Sequence, residues 1–272
     1  MRLYVADKPG HTSLSVKPWS ERGFTAFNSE AEDEVLNDEG RCIVARSSHC
    51  PFAELHSTGE LTALRNDPPT PHCQVAVVTI CQDSSKRVLL ARRSRAERST
   101  PGAWVMPGTV VKEGERLVEA AIRGLKEDTS LDVVGSGFGK MKLVGAWEGV
   151  FPFDLSRGSP QAHSLVFYFI GHCVDAAMLE LDADLDACAW VGKEEADLIT
   201  GLQKPRQHAM KVPRRMYGWE TSSGDISATS FSPALLQEEY PNRHGQGLLE
   251  GDRVMLQEWS KHAWYEHTYT KE

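Results

Sequence analysis

The chain has no apolar run approaching the roughly 20 consecutive residues needed to cross a bilayer. Its start, Met1-Arg2-Leu3-Tyr4-Val5-Ala6-Asp7-Lys8, has no uninterrupted apolar stretch. Neither a secretory signal nor an anchor is expected, and the expected location is cytoplasmic, with no membrane partner. An excess of positive charge is also missing. Lys and Arg number 30 against 38 Asp and Glu, a net charge of −8, which argues against holding nucleic acid mainly through a general phosphate-attracting field. The densest basic cluster, Arg92, Arg93, Arg95 and Arg98, reads either as a solvated loop or as a phosphate clamp. The six cysteines, at 42, 50, 73, 81, 173 and 188, show no C-x-x-C spacing, and reduced, packed thiols are expected. Three of them follow histidines, at His49-Cys50, His72-Cys73 and His172-Cys173. Adjacent strand residues point to opposite faces, so these pairs do not read as metal sites. Internal repeats and low-complexity tracts are absent too.

What is present is the composition of an ordinary soluble globular protein, 40% hydrophobic and 25% charged. A chain of 272 residues can bury a good core, and one domain with substantial extensions is expected. Three prolines in Asn66-Asp67-Pro68-Pro69-Thr70-Pro71 mark a boundary. They divide an N-terminal extension or small subdomain, 1–71, from a central domain, 72–201, which a C-terminal extension, 202–272, follows. Val75 to Ile80, a turn at Asp83 to Lys86, and Val88 to Ala91 predict a β-hairpin. Leu117, Ala120, Ala121 and Leu125 recur at three- and four-residue spacing and predict an amphipathic helix over Arg116 to Thr129. Strands are expected at Lys142 to Trp147, Ser164 to Gly171 and Ala187 to Val191, then a helix from near Lys193. This order predicts an α/β layered domain with a mixed sheet. Beyond Leu202 the signal weakens, with basic and Gly/Ser-rich sequence around Lys211 to Gly224, until a closing helix at about Leu249 to His262.

The chemistry-bearing segment runs Pro107-Gly108-Thr109-Val110-Val111-Lys112-Glu113-Gly114-Glu115, then on through Arg123-Gly124-Leu125-Lys126-Glu127-Asp128-Thr129-Ser130-Leu131. It resembles the box of the Nudix hydrolase family: a Gly, five residues, Glu, seven residues, then Arg-Glu-apolar-any-Glu-Glu-any-Gly-apolar. Glu115, Arg123, Leu125, Glu127 and Leu131 match in register, and Asp128 is a conservative substitute. Pro101-Gly102-Ala103-Trp104-Val105-Met106-Pro107-Gly108 resembles the family's approach to the box, and Cys188-Ala189-Trp190-Val191 with Lys193-Glu194-Glu195-Ala196 resembles its closing strand and helix. The resemblance implies an α/β/α sandwich with a mixed sheet, and a loop–helix–loop site for Mg2+ or Mn2+. Shorter segments, Cys50 to Leu55, Val88 to Arg93, Trp147 to Pro152 and His163 to Tyr168, resemble the animal motif-seventeen branch. Its members are assigned as messenger-RNA 5′-cap hydrolases, which implies a nucleotide or capped-RNA substrate.

Positions 124, 127 and 128 fall at i, i+3 and i+4, on one helix face. Carboxylates there would form a hard, oxygen-rich cage for magnesium and a phosphate chain. The resemblance thus implies Glu127, Arg123 and Glu115 as catalytic residues and Glu127 and Asp128 as metal ligands, with Arg123 buttressing the loop through a carboxylate such as Glu115. Glu148 and Arg92 are candidates for binding substrate. Three departures stand out: Gly124 replaces the first helix Glu, Thr109 the second loop Gly, and Ser130 the Gly after the helix. Gly124 removes a charge and two ligand oxygens, and costs about 1 kcal/mol relative to alanine inside a helix. Glu119 lies roughly 140° around the axis from position 124 and offers no rescue; Glu148, Asp184 or Asp186 could supply a carboxylate from elsewhere. Two readings follow: a metal-dependent pyrophosphohydrolase, or a binding module that kept the pocket and uses its terminal extensions for protein partners.

Overall fold

The computed structural model describes residues 2–6, 14–17, 35–38, 41–44, 73–97, 100–112, 115–133, 141–151, 162–173, 179–202, 215–222, 225–238 and 240–261. The proline-rich boundary at 66–71, the segment 50–55, Arg98, Glu113, Gly114 and the side chain of Glu148 lie outside what is described.

In chain order the strands are β1 (Arg2–Ala6), β2 (Leu14–Lys17), β3 (Val35–Asp38), β4 (Arg41–Val44), β5 (Cys73–Gln82), β6 (Val88–Arg93), β7 (Trp104–Val105) and β8 (Gly108–Val110). Helix α1 (Leu117–Thr129) follows, then β9 (Lys142–Phe151), β10 (Ala162–His172), β11 (Leu185–Val191) and α2 (Lys193–Ile199). Next come β12 (Met216–Ser222), β13 (Asp225–Phe231), a 3-10 turn at Pro233–Leu236 and α3 (Glu250–Lys261). This is an α/β fold. No helix among the described residues is long and apolar enough to cross a membrane.

The chain forms two compact units. One comprises Met1–Val78, Thr109–Ala121 and Lys142–Phe169; the other comprises Thr79–Gly108, Ile122–Met141 and Ile170–Glu272. In the first, strand order runs β10-β9-β1-β2. Within it β1 pairs antiparallel with β9, Arg2 opposite Glu148 and Leu3 opposite Trp147. The second unit holds the order β13-β12-β11-β6-β5-β10, with β7 against β6.

The expected hairpin is β5–β6. Its turn closes through Lys86 N–H donating to the Asp83 carbonyl at 2.9 Å, and the Asp83 side chain accepts from the Arg87 N–H at 2.8 Å, the local capping for which Asp is suited in turns. Helix α1 begins where Glu119 reaches back to the Arg116 N–H at 3.1 Å, half of a capping box.

The weak signal after Leu202 conceals a second hairpin. Strands β12 and β13 pair from Met216↔Phe231 to Ser222↔Asp225, and β12 pairs with β11. Gly218 makes that possible: a Cβ there would sit 1.8 Å from the Cys188 carbonyl oxygen, so only glycine allows the backbones to come this close. β13 reads Asp225-Ile226-Ser227-Ala228-Thr229-Ser230-Phe231, too polar and small to show a hydrophobic period.

The cysteine expectation needs correction. Cys81 and Cys173 form a disulfide, with Cα atoms 6.4 Å apart and a sequence separation of 92. β5 and β10 are neighbours, and the Cys173 N–H donates to the Gln82 carbonyl at 2.8 Å, so the pair meets through sheet register, which spacing along the chain does not reveal. Cys188 remains a free, buried thiol, and burial pushes its pKa up to about 12, so it is inert as a nucleophile. These three cysteines share a core cluster with Leu89, Leu125, Leu131, Leu185 and Trp190. Leu125 and Leu131, the two apolar positions of the box, seat the second half of α1 on this core.

Candidate functional site

Three pieces of the second unit build the site: the approach loop Trp104–Gly108, the latter half of α1, and the segment 179–186. The loop is tied to β5 where the Thr79 N–H donates to the Pro107 carbonyl at 2.8 Å. The end of α1 is tied to 179–186 where the Glu180 and Asp182 N–H groups donate to the Thr129 and Asp128 carbonyls, each at 3.1 Å. These bonds satisfy carbonyls that a helix C-terminus leaves open.

Ser130 ends the helix in the left-handed region at φ 57°, its N–H donating to the Lys126 carbonyl at 2.9 Å. The geometry that usually calls for glycine is therefore kept despite the serine. Thr109, by contrast, lies in β8 and is not among the residues with positive φ.

The two neighbouring carboxylates of the box differ. Glu127 is half exposed and accepts from Arg123 at 2.7 Å, an i,i+4 ion pair on the helix surface. Asp128 is largely buried, and its Oδ2 accepts from the Gly108 N–H at 2.9 Å. Burial pushes its carboxyl up to about 6, against the pull of the Gly108 N–H and the Arg93 charge, and the charges of Asp182 and Glu127 push the same way as burial. Gly124 is buried on the same helix.

Asp182, which with Arg93 acts electrostatically on Asp128, is not singled out by the sequence reading, and Arg93 enters that reading only within the basic cluster. Beyond that cluster, the signal for Arg93 is strand alternation: β6 sends Arg92 and Arg93 to opposite faces. Arg92 goes to an ion triad, its Nε on Asp186 at 2.5 Å and its Nη2 on Glu220 at 2.7 Å, with the guanidinium 5.9 Å from the Trp104 ring centroid. Burial alone would lower the Arg92 pKa; its bonds to Asp186 and Glu220 outweigh that and leave it raised. Asp186 is thus joined to Arg92. Asp184 is exposed, its carbonyl accepting from the Ser94 N–H at 2.7 Å. Glu115, in the first unit, accepts from the Lys112 N–H at 2.9 Å.

Among the described residues no three His, Cys, Asp or Glu side chains come together as a metal-holding group. Glu127 and Asp128 are the two carboxylates that the box register offers to a cation. Mg2+ keeps several waters and is commonly bound through one or two carboxylates plus substrate phosphates. A buried carboxyl raised to about 6 is a charge that such a cation would compensate.

The NUDIX domain family matches residues 71–212, more than half of the chain. The m7GpppN-mRNA hydrolase NUDT17 of Danio rerio is 27% identical over 244 residues, covering 84% of this chain and 80% of that protein. Its Xenopus laevis counterpart is 28% identical over 253 residues, covering 88% and 84%. Among solved structures, the MutT protein of Methanosarcina mazei Go1 is 21% identical with a TM-score of 0.37, covering 48% of this chain and 84% of that one.

Proposed function

This chain belongs to the NUDIX domain family, and from that premise we propose that it is a metal-dependent pyrophosphohydrolase acting on a nucleoside diphosphate-linked substrate, the 5′ cap of messenger RNA. One observation carries the reading: Asp128 and Glu127 stand in box register, with the Asp128 carboxylate held by the approach loop through Gly108. The cap as substrate is supported by relatives that are named m7GpppN-mRNA hydrolases and aligned over most of their length.

Glu127 and Asp128 would hold Mg2+ or Mn2+, which when bound neutralises phosphate charge and activates water. The rest falls to the chain's own groups. Arg123 orients the Glu127 carboxylate, and the Gly108 N–H orients that of Asp128. Arg93 places positive charge within reach of Asp128, where it offsets the repulsion of a phosphate chain. Glu115 ties its own loop through the Lys112 N–H. The Arg92 triad braces β6 against β11 and β12, so its part in substrate binding would be to hold that surface rather than to grip a phosphate.

Gly124 favours a second reading, a binding module with little turnover whose terminal segments take protein partners. The two separate in an assay with Mg2+ and Mn2+ over capped RNA and nucleotide diphosphate substrates. Turnover by the natural chain that falls at least a hundredfold in Glu127→Gln supports the enzyme. Turnover that appears only in Gly124→Glu supports the binding module.

A further inference from the structure

Helix α3 reaches the approach loop from the far end of the chain. Asp252, buried in its first turn, accepts a hydrogen bond from the Met106 N–H at 3.2 Å. Two residues on, the Gly108 N–H donates to Asp128 at 2.9 Å; the residue between, Pro107, has no N–H to offer.

The strand-like stretch ahead of α3 holds the other end of the loop. The Trp104 N–H donates to the Gly247 carbonyl at 2.8 Å, and the Trp104 carbonyl accepts from the Leu249 N–H at 3.2 Å, a parallel bridge with Leu248 between them. Trp104 is fully buried, edge-on to Phe231 at 5.0 Å. A Cβ on Gly102 would lie 2.5 Å from the Gly245 carbonyl oxygen, so the two segments are in close backbone contact along their length. Every backbone N–H from Trp104 to Gly108 that these bonds engage, at Trp104, Met106 and Gly108, points either to the C-terminal segment or to Asp128.

We propose that Asp252 is a positioning residue for the box: by holding the Met106 N–H, it sets the direction of the Gly108 N–H and so the placement of the Asp128 carboxylate. The segment Gly247–Asp252 is then a working wall of the site. This rests on the reading of Asp128 as part of the hydrolytic machinery, and the experiment keeps the two apart.

The full-length chain is compared with Asp252→Ala, Asp252→Asn and Leu249→Pro, the last deleting the N–H that holds the Trp104 carbonyl. Three readouts apply: amide hydrogen exchange at Met106 and Gly108, Mn2+ binding followed by the paramagnetic resonance of the free ion, and kcat and KM on m7GpppN-capped RNA. In Asp252→Ala, exchange at Met106 and Gly108 rises at least tenfold while Leu256 to Ser260 in α3 stay protected. Mn2+ binds about tenfold more weakly and kcat falls about tenfold at a KM within twofold of the natural chain's, the size expected for loss of an outer-shell partner. Asp252→Asn, whose side-chain oxygen still accepts, recovers most of each loss, and Leu249→Pro reproduces the exchange change. Unchanged exchange at Gly108 in a folded Asp252→Ala overturns the proposal, as does an equal loss of protection throughout α3 in both Asp252 variants. If the natural chain neither binds Mn2+ nor cleaves capped RNA, the hydrolase reading fails, and the exchange measurements still decide the role of Asp252.

Discussion

Helix α1 and the C-terminal segment 215–261 are organised in opposite ways. The surface of α1 is held by neighbours: Glu119 on Arg116 three residues away, and Glu127 on Arg123 four away. The C-terminal segment also reaches partners more than a hundred positions distant, with Glu220 on Arg92 and Asp252 on Met106. One carries the motif and the other supports the ground it stands on. A local signature can be legible along the chain while the loop beside it is held by residues the signature does not include, as Asp252 holds the Met106 N–H.

The sharpest way to break the C-terminal side is Gly218→Ala. A Cβ 1.8 Å from the Cys188 backbone oxygen has no flexible neighbour to displace, so β12 must part from β11, at about 3 kcal/mol or more. Chemical denaturation reads the loss, which should come with faster amide exchange along β11.

Reducing the Cys81–Cys173 disulfide releases a 92-residue link beneath Leu125 and Leu131 and should cost about 2–4 kcal/mol. Denaturation with and without reductant measures this, and a Cys81→Ala, Cys173→Ala variant should be insensitive to reductant.

The third test acts on Asp128. Its folded-state pKa of about 6 lies above the usual 3.8, so between those values the native state holds more protons than the unfolded chain. Stability from this group is greatest at low pH and falls as pH rises from about 4 to 6, by about 1–3 kcal/mol. Asp128→Asn should flatten that part of the pH–stability curve relative to the natural chain. Millimolar Mg2+ should raise the Tm above pH 6 and leave it unmoved near pH 4, where the carboxyl is protonated.

The smallest effect belongs to α1 itself. Ser130→Gly relieves an exposed left-handed residue at φ 57° and should stabilise the chain by about 0.5–1 kcal/mol. A rise in Tm with unchanged turnover would show that the departure at 130 is a matter of stability, separate from the departure at 124.

Much of the framework could be read along the chain. The helix over Arg116 to Thr129 is α1 (Leu117–Thr129), the closing helix near Leu249 is α3 (Glu250–Lys261), and the strands and helix between Lys142 and Lys193 appear as β9, β10, β11 and α2. All of these announce themselves through hydrophobic periods, which are local properties. The hairpin β12–β13 does not, because β13 is small and polar and β12 depends on a glycine whose role lies in a neighbouring strand. In the box, the register of Glu115, Arg123, Glu127 and Asp128 was equally legible along the chain, and so was the gap at Gly124. That Arg93 rather than Arg92 acts on Asp128 was not, since alternation gives two faces without saying which one meets the box.

By itself, then, the sequence determined the family, the helix that bears the box and the carboxylate missing from it, because covalent spacing and a 3.6-residue period settle which side chains share a helix face. Tertiary structure alone decided that Cys81 meets Cys173, that Arg92 is taken up by Asp186 and Glu220, and that Asp252 takes hold of the approach loop. Each of these joins residues far apart in the chain, and only sheet register and packing bring them within bonding distance.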